Sequence, residues 1–310
     1  MVSLVVPIFN EEELIDELVP RTVKALANIK NEFELIFVDD GSTDDSLKRL
    51  IAFQERDDRI RVISLSKNFG HQAAFTAGLE HATGGYVAMM DGDLQDPPEL
   101  LKEMHDKLVN EDFDIVSGRR SARKGNKAKN AVTGVFHNLF KSVANIEDLE
   151  NAGNFSMMNR KALSALLSLE ERVRYLPGLR SFVGFNQGFV DYVREDRFQG
   201  KPKMTFGKLF VLAADAIFSF SKFPIRVCLV LGLIGTIVFM LAGMYVLVAK
   251  FLGFAIMGWS STVLSIYFLG SIQLIFLGVV GEYVYRIYKE SQRRPLYFVK
   301  KIYQSKDNKA

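Results

Sequence analysis

Two long uncharged runs near the C-terminus constrain this chain more than any other feature. Residues 227–249 and 260–281 carry no charged side chain, and the second run holds one amide, Gln273. About 20 apolar residues in a helix cross ~30 Å of hydrocarbon, so each run is long enough to span a bilayer. Two such runs in tandem are rare in a soluble core, and they read as transmembrane helices. Only Lys250 is charged in the connection, residues 250–259. Arg286, Lys289, Arg293, Arg294, Lys300, Lys301, Lys306 and Lys309 follow the second run, and Lys222 and Arg226 precede the first. Basic residues favour the cytoplasmic side, so the expected topology is a multi-pass inner or plasma membrane protein. Both termini then lie in the cytoplasm and the short loop lies outside.

The remaining chain divides around these runs. Residues 1–205 are charged throughout, as in a soluble cytoplasmic domain. Residues 206–226 are apolar with sparse charges. They fit either an amphipathic segment in the membrane interface or a core helix, and the sequence leaves both open. Residues 227–285 hold the two spans, and 286–310 read as a basic cytoplasmic tail. With 310 residues and a net charge of +3, bulk charge gives no sign of nucleic-acid binding. The single cysteine, Cys228, excludes an intrachain disulfide and a cysteine-based metal site. The N-terminus enters a strand pattern at once, with no basic and apolar leader, so no signal peptide is expected.

Residues 1–120 alternate between two periods. Apolar strands are predicted at 2–6, 33–38, 60–65, 86–90 and 114–117. Helices are predicted at 11–28, after 43, at 70–81 and from Pro97-Pro98 onward. Ser42 or Thr43 is a candidate cap for the second helix, with Asp44 and Asp45 in its first turn. The alternation predicts an α/β domain with a mostly parallel sheet and helices on both faces. Ligands bind such sheets at the carboxyl ends of the strands, where Asn10–Glu12, Asp39-Asp40 and Asp91–Gln95 fall.

Four groups of residues carry candidate chemistry. Asp91-Gly92-Asp93 follows a buried strand, and Gln95 extends the alternation. Two carboxylates and an amide oxygen suit Mg²⁺ or Mn²⁺, which take oxygen ligands from carboxylates and phosphates. Asp39 and Asp40 end the second strand and suit a base N–H or ribose hydroxyls; capping of the next helix is the plainer role. Arg197 and Lys203 lie in a basic, glycine-containing stretch suited to phosphate, although basic residues beside membranes are common. Arg119, directly after a strand, leads a cluster of six cations in 119–129 and is the one favoured for the site. No G-x-G-x-x-G follows the first strand and no P-loop motif occurs, which disfavours a dinucleotide fold and excludes a P-loop.

Together these motifs resemble the family 2 inverting glycosyltransferases of GT-A fold. The nearest likeness is to the bacterial polyprenyl-phosphate glycosyltransferases, bactoprenol glucosyltransferase among them, cousins of dolichyl-phosphate mannose synthase. The matching stretches are VVPIFNEEE (5–13), FVDDGSTDDS (37–46), SKNFGHQAAFTAGLEHATG (66–84), MDGDLQDPPE (90–99), SGRR (117–120), the R-x-x-G-x-x-K of 197–203 and the two C-terminal spans. The resemblance implies that Pro7, Phe9, Asn10, Glu11, Val38, Asp39 and Asp40 line a nucleotide pocket. It implies that Asp91, Asp93 and Gln95 hold the metal, and that Arg119, Arg197 and Lys203 contact phosphates. It further implies a nucleotide-sugar donor, a polyprenyl phosphate acceptor, a bilayer and a homo-oligomer. UDP-glucose is the favoured donor and undecaprenyl phosphate the favoured acceptor.

The chain departs from that pattern at Asn154, where many relatives carry an acidic residue often assigned as a base. Asparagine is no base. A lipid phosphate has a second pKa near ~6 and is mostly a dianion at neutral pH, so it needs alignment and charge neutralisation instead. Asn154 is therefore expected to position, alongside Asp93, Arg197 and Lys203 in the reaction centre. Three alternatives stand beside this reading: a GDP-mannose donor, an inactive nucleotide-sugar-binding scaffold, and a processive polysaccharide synthase. The last lacks a Q-x-x-R-W motif here, because Trp259 is the only tryptophan.

Overall fold

A computed structural model describes residues 1–29, 31–120, 152–172, 174–193, parts of 230–252, and 258–305. Arg197, Lys203, the segment 206–226 and Arg123–Lys129 lie outside the described residues. The chain divides into two compact units. One contains residues 1–120, 152–193 and 294–305, and the other contains the described residues between 230 and 293.

The first unit is built on short strands, the central ones apolar and buried. β1 (Val2–Ile8) and β2 (Phe33–Asp39) are buried along their whole length. Strands covered on both faces read as continuous apolar runs, which is what these sequences show. After β1 come α1 (Ile15–Ala27), then β2, α2 (Ser46–Gln54), β3 (Ile60–Leu65), α3 (His71–His81) and β4 (Tyr86–Met89). A 3₁₀ turn (Pro98–Leu100) leads into α4 (Leu101–Asn110) and β5 (Ile115–Arg120). Then follow β6 (Ala152–Asn159), α5 (Arg160–Leu167), α6 (Leu176–Phe182) and β7 (Gln187–Tyr192). The second unit supplies α7 (Trp259–Ser291), and the chain returns to the first unit as β8 (Val299–Tyr303).

The eight strands form one sheet in the order β7-β5-β6-β4-β1-β2-β3-β8. β1 pairs in parallel with β2 and β4, β2 with β3, and β5 with β7. β6 runs antiparallel between β4 and β5, and β8 is antiparallel to β3. Alternation sends Leu4, Val6, Leu35 and Phe37 into one core, and Val5, Ile36 and Val38 into the other. α3 lies close on the second core. A Cβ at Gly78 would fall 2.2 Å from Val5 Cγ1, so its small-residue sequence lets the helix sit directly on β1. This is an α/β sheet in which, among the described residues, four of the seven strand pairings are parallel and three antiparallel.

Several boundaries differ from the sequence reading, each for a local reason. α1 begins at Ile15 instead of Glu11, because Asn10 takes a left-handed φ of 53° and the next amides bond elsewhere. Neither Ser42 nor Thr43 caps α2. The helix starts at Ser46, and its N-cap Asp45 makes no side-chain cap bond. Ser42 Oγ accepts the Asn10 amide instead, and Asp44 accepts both the Glu12 amide and the Ser46 amide at the start of α2. The basic tail is not entirely a tail: Val299–Tyr303 pair with β3, with Val299 and Ile302 packed against the second core.

In the second unit, residues 230–235 are helical, and α7 runs for 33 residues. Phe276 of α7 packs near Gly232, where an added Cβ would come within 3.3 Å of its ring. One helix among the described residues is long and apolar enough to cross a membrane. It is the stretch Phe268–Ser291 of α7, 24 residues with mean hydropathy 1.5 over its apolar window and no buried residue in that window.

Candidate active site

Three loops meet at the carboxyl ends of β1, β2 and β4. The first two are sewn together by side chains. Asn10 Oδ1 accepts the Thr43 amide at 2.8 Å, and Ser42 Oγ accepts the Asn10 amide at 3.1 Å. Ser46 Oγ accepts the Glu11 amide at 2.9 Å, and Glu12 accepts the Asp45 amide at 2.8 Å. Short polar side chains thus satisfy backbone donors that no helix or ladder serves. Gly41 makes the close approach possible. Its φ is +70°, and a Cβ there would lie 2.6 Å from the Lys67 carbonyl carbon.

Both carboxylates at the end of β2 are buried and engaged. Asp39 accepts the Ser42 amide at 3.1 Å and the Ser64 hydroxyl at 3.4 Å. Asp40 accepts the amides of Phe69 and Gly70 at 2.7 and 2.9 Å. Burial, helped by neighbouring Asp39, lifts the Asp40 pKa above the usual carboxylate range against those two amides. Asp40 therefore fastens the 66–70 loop ahead of α3. Neither aspartate caps α2.

The third loop carries Asp91, Asp93 and Gln95. Gly92 lets it lie against β1: a Cβ there would fall 2.6 Å from Ile8 Cδ1 and 2.9 Å from the Pro7 carbonyl oxygen. Asp93 Oδ1 accepts the Gln95 amide at 3.2 Å, a local turn. Leu94 adopts a φ of 56°, a left-handed conformation that costs a branched side chain of order 1 kcal/mol. Burial of its side chain in the first core holds it there.

Asp91 is the centre of a polar cluster. Its Oδ1 lies 2.9 Å from His71 Nε2 and 3.3 Å from Asn154 Nδ2. Asn154 Nδ2 is also 3.3 Å from His71 Nε2, and Asn154 Oδ1 accepts from Gln72 Nε2 at 3.4 Å. Burial works against a charged Asp91, but the His71 ring and the Asn154 amide outweigh it. The carboxyl is held below its usual range. β6 supplies Asn154, and the start of α3 supplies His71 and Gln72, so the cluster joins two elements with β4.

Two arginines flank this cluster from behind. Arg120 donates to the Tyr192 hydroxyl at 3.2 Å and lies 3.6 Å from Asp96, which accepts from Tyr192 at 2.5 Å. Burial opposes the Arg120 charge, and Tyr192 and Asp96 overcome it, raising its pKa. Arg180 is almost entirely buried and donates to the Gly153 and Asn154 carbonyls at 2.6 and 3.1 Å and to the Ser156 hydroxyl.

The structure brings together Asn10, Glu11, Asp39 and Asp40 at the loop ends, and it brings Asn154 onto Asp91. Pro7 and Val38 are buried, whereas Phe9 is exposed. Arg119 lies elsewhere. It is exposed and forms a two-pronged pair with Asp191 of β7 at 2.6 and 2.9 Å, stacked over Phe189. Strand alternation turns its neighbour Arg120 toward the cluster instead. His71, Gln72, Arg120 and Arg180 were not singled out from the sequence. The first three sit inside the matched stretches, where their position beside the motif is the only signal. Arg180 has none.

Comparison with known proteins agrees with this geometry. Residues 3–167 match Glycosyl transferase family 2. An uncharacterized glycosyltransferase of Synechocystis is 40% identical over 303 residues, 97% of this chain and 95% of that protein. A prophage bactoprenol glucosyl transferase homolog of Escherichia coli is 36% identical over 304 residues, 97% of this chain and 99% of that protein. Among solved structures, glucosyl-3-phosphoglycerate synthase of Mycobacterium tuberculosis, in complex with Mg²⁺ and UDP, shares the fold. Its TM-score is 0.50 at 21% identity, covering 70% of this chain and 77% of that one. The chain belongs to glycosyl transferase family 2 and is a glycosyltransferase.

Proposed function

We propose that the protein transfers a hexose, with inversion, from a nucleotide diphosphate sugar to polyprenyl phosphate at the cytoplasmic face of a membrane. UDP-glucose is the donor and undecaprenyl phosphate the acceptor we assign. The observation that carries the reading is the Asp91 carboxylate, held by His71 and Asn154 beside the loops after β1 and β2. The name of the Escherichia coli relative, alike over nearly the whole chain, supports the lipid acceptor.

The donor set fits a hard divalent cation. Among the described residues no three His, Cys, Asp or Glu side chains come together as a complete cage. Mg²⁺ and Mn²⁺ seldom need one, since they take one or two carboxylates and complete their shell with phosphate oxygens. Asp91, Asp93 and Gln95 would hold the ion, which neutralises charge on the diphosphate when bound.

The chain's own residues have simpler tasks. The loops at Asn10–Glu11 and Asp39 receive the nucleoside. Asn154 and Gln72 align groups beside Asp91. Arg197 and Lys203 neutralise phosphate charge. A lipid phosphate oxygen attacks the anomeric carbon, and the bond from that carbon to the diphosphate breaks on the opposite side. The nucleoside diphosphate leaves with the electron pair. A phosphate dianion has no proton to lose, so the site works with an asparagine at 154. Two spans, 227–249 and 260–281, with both termini cytoplasmic, keep this site at the headgroups, and the apolar stretch of α7 supports the second.

The test is transfer by detergent-solubilised protein supplied with undecaprenyl phosphate, Mn²⁺ and either UDP-glucose or GDP-mannose. Glucolipid from UDP-glucose is expected. No glycolipid from either donor would overturn the reading.

A further inference from the structure

Arg180 is a costly residue to have where it stands. It is 1% exposed, and among the described residues no carboxylate pairs with it. Its Nε is buried with no hydrogen-bond partner. Burial pulls its pKa down to about 10, so the guanidinium remains charged at neutral pH. An isolated buried charge is expensive, and an apolar side chain of the same volume would ordinarily serve a core better.

Its remaining bonds show where that cost is offset. One Nη donates to the Gly153 carbonyl at 2.6 Å, and the other to the Asn154 carbonyl at 3.1 Å and to Ser156 Oγ. Ser156 Oγ itself donates to the Asn154 carbonyl at 3.0 Å. On the other side, Gly153 abuts the second arginine: a Cβ there would fall 2.8 Å from Arg120 Nη2. Arg180 thus holds the backbone at 153–154, and Arg120 lies close beside Gly153 on the other side. The held segment carries Asn154, whose amide reaches Asp91 Oδ1 at 3.3 Å.

We propose that Arg180 is a positioning residue. Its guanidinium fixes the Gly153–Asn154 backbone so that the Asn154 amide holds the Asp91 carboxylate in its cation-binding orientation. The inference rests on the assignment of Asp91 to the cation under the proposed function. In this role Arg180 acts on the Asp91 carboxylate through the segment that carries Asn154.

The test reads Mn²⁺ binding, so it does not depend on transfer. Full-length protein in detergent is titrated with Mn²⁺ in the presence of UDP, and free Mn²⁺ is followed by electron paramagnetic resonance. Native protein, Asn154→Ala, Arg180→Met and the double variant are compared. Loss of a group that orients a metal ligand typically weakens binding by about tenfold or more, so each single variant should bind ~10-fold more weakly. The double variant should also be ~10-fold weaker, because both changes cut the same chain of contacts. Independent losses multiplying to ~100-fold, or native binding in Arg180→Met, would overturn the proposal.

If Arg180→Met gives no cooperatively folded protein, Arg180→Lys replaces it under the same criteria. One ammonium cannot span the two carbonyls and the hydroxyl together. Native protein that binds Mn²⁺ and UDP but transfers nothing would remove the proposed function and still leave this coupling readable. Native protein that takes up no Mn²⁺ would overturn both.

Discussion

The Asn154 amide donates to the same oxygen of Asp91 that His71 Nε2 approaches at 2.9 Å. A carboxylate at 154 would set two negative charges about 3.3 Å apart. Like charges at that spacing disfavour double ionisation and raise the pKa of one partner. Asn154→Asp should therefore melt below the native protein in EDTA, by about 1–2 kcal/mol, and recover when a cation neutralises the pair. The shift in Tm on adding Mn²⁺ should be larger in the variant than in the native protein. Equal shifts would mean that residue 154 does not face Asp91 in solution. Transfer by Asn154→Asp alone, with an inactive native protein, would show that a carboxylate base is required.

Gly92 separates the two carboxylates because nothing larger fits. The Pro7 carbonyl oxygen and Ile8 Cδ1 would stand 2.9 and 2.6 Å from a Cβ, and the carbonyl belongs to a strand that cannot swing away. Gly92→Ala should cost ~2 kcal/mol by overpacking and displace Asp91 and Asp93. Transfer should fall more than about tenfold, as misplacement near the reacting groups does. Gly85→Ala is the control, since a Cβ there meets nothing within 4 Å. Its Tm and activity should match the native protein, and Gly92→Ala behaving likewise would refute the packing argument.

The parallel half of the sheet is legible because β1, β2 and β4 read as near-continuous apolar runs, as strands covered on both faces do. β3 was placed at its observed ends, 60–65. β6 was not, because Ala-Gly-Asn-Phe-Ser-Met-Met-Asn alternates neither apolar with polar nor as a continuous apolar run. Its place depends on β4 and β5 on either side, which no local pattern encodes. β8 was hidden for a similar reason: Lys300 and Lys301 face outward in a five-residue strand at the sheet edge, and such charges also mark a tail. At the site, motifs gave Asp91 and Asn154 separately. Their contact, and the choice of Arg120 over Arg119, followed only from strand pairing.

Glu34 supplies a pH-dependent part of the fold. Its carboxylate accepts from Ser3 Oγ at 2.6 Å, the Thr83 amide at 2.6 Å, Thr83 Oγ1 at 2.9 Å and Arg61 Nη1 at 3.0 Å. Burial opposes the charge, but these donors outweigh it and hold the folded pKa below the ordinary 4.5. A carboxyl whose pKa is depressed on folding contributes its stability above the unfolded value. That contribution is lost as pH falls through the folded value. Glu34→Gln should cost about 3 kcal/mol at neutral pH, since it leaves the Arg61 charge without its partner. The difference in stability between the two proteins should shrink as the pH drops below 4.5. A difference that stays constant from pH 7 to 3 would show that Glu34 is not the titrating group.

The chain closes its sheet with residues that come after its membrane-length helix, and those residues also brace the 66–70 loop and α3. The Phe298 carbonyl accepts the Ser66 amide at 2.9 Å, and its ring packs against Phe69 at 6.1 Å between centroids. Tyr297 hydrogen-bonds Glu80 of α3. Phe69 and Gly70 in turn donate to Asp40. Removing residues 294–310 would therefore strip one partner from β3 and free the loop that precedes His71. The truncated protein should still fractionate with membranes, since α7 is intact, but melt at lower temperature and bind UDP about tenfold more weakly. Phe298→Ala keeps β8 and removes only the ring contact, so it should lose part of the UDP affinity with a small change in Tm. Unchanged UDP binding in the truncated protein would show that the 66–70 loop holds Asp40 without help from the C-terminal strand.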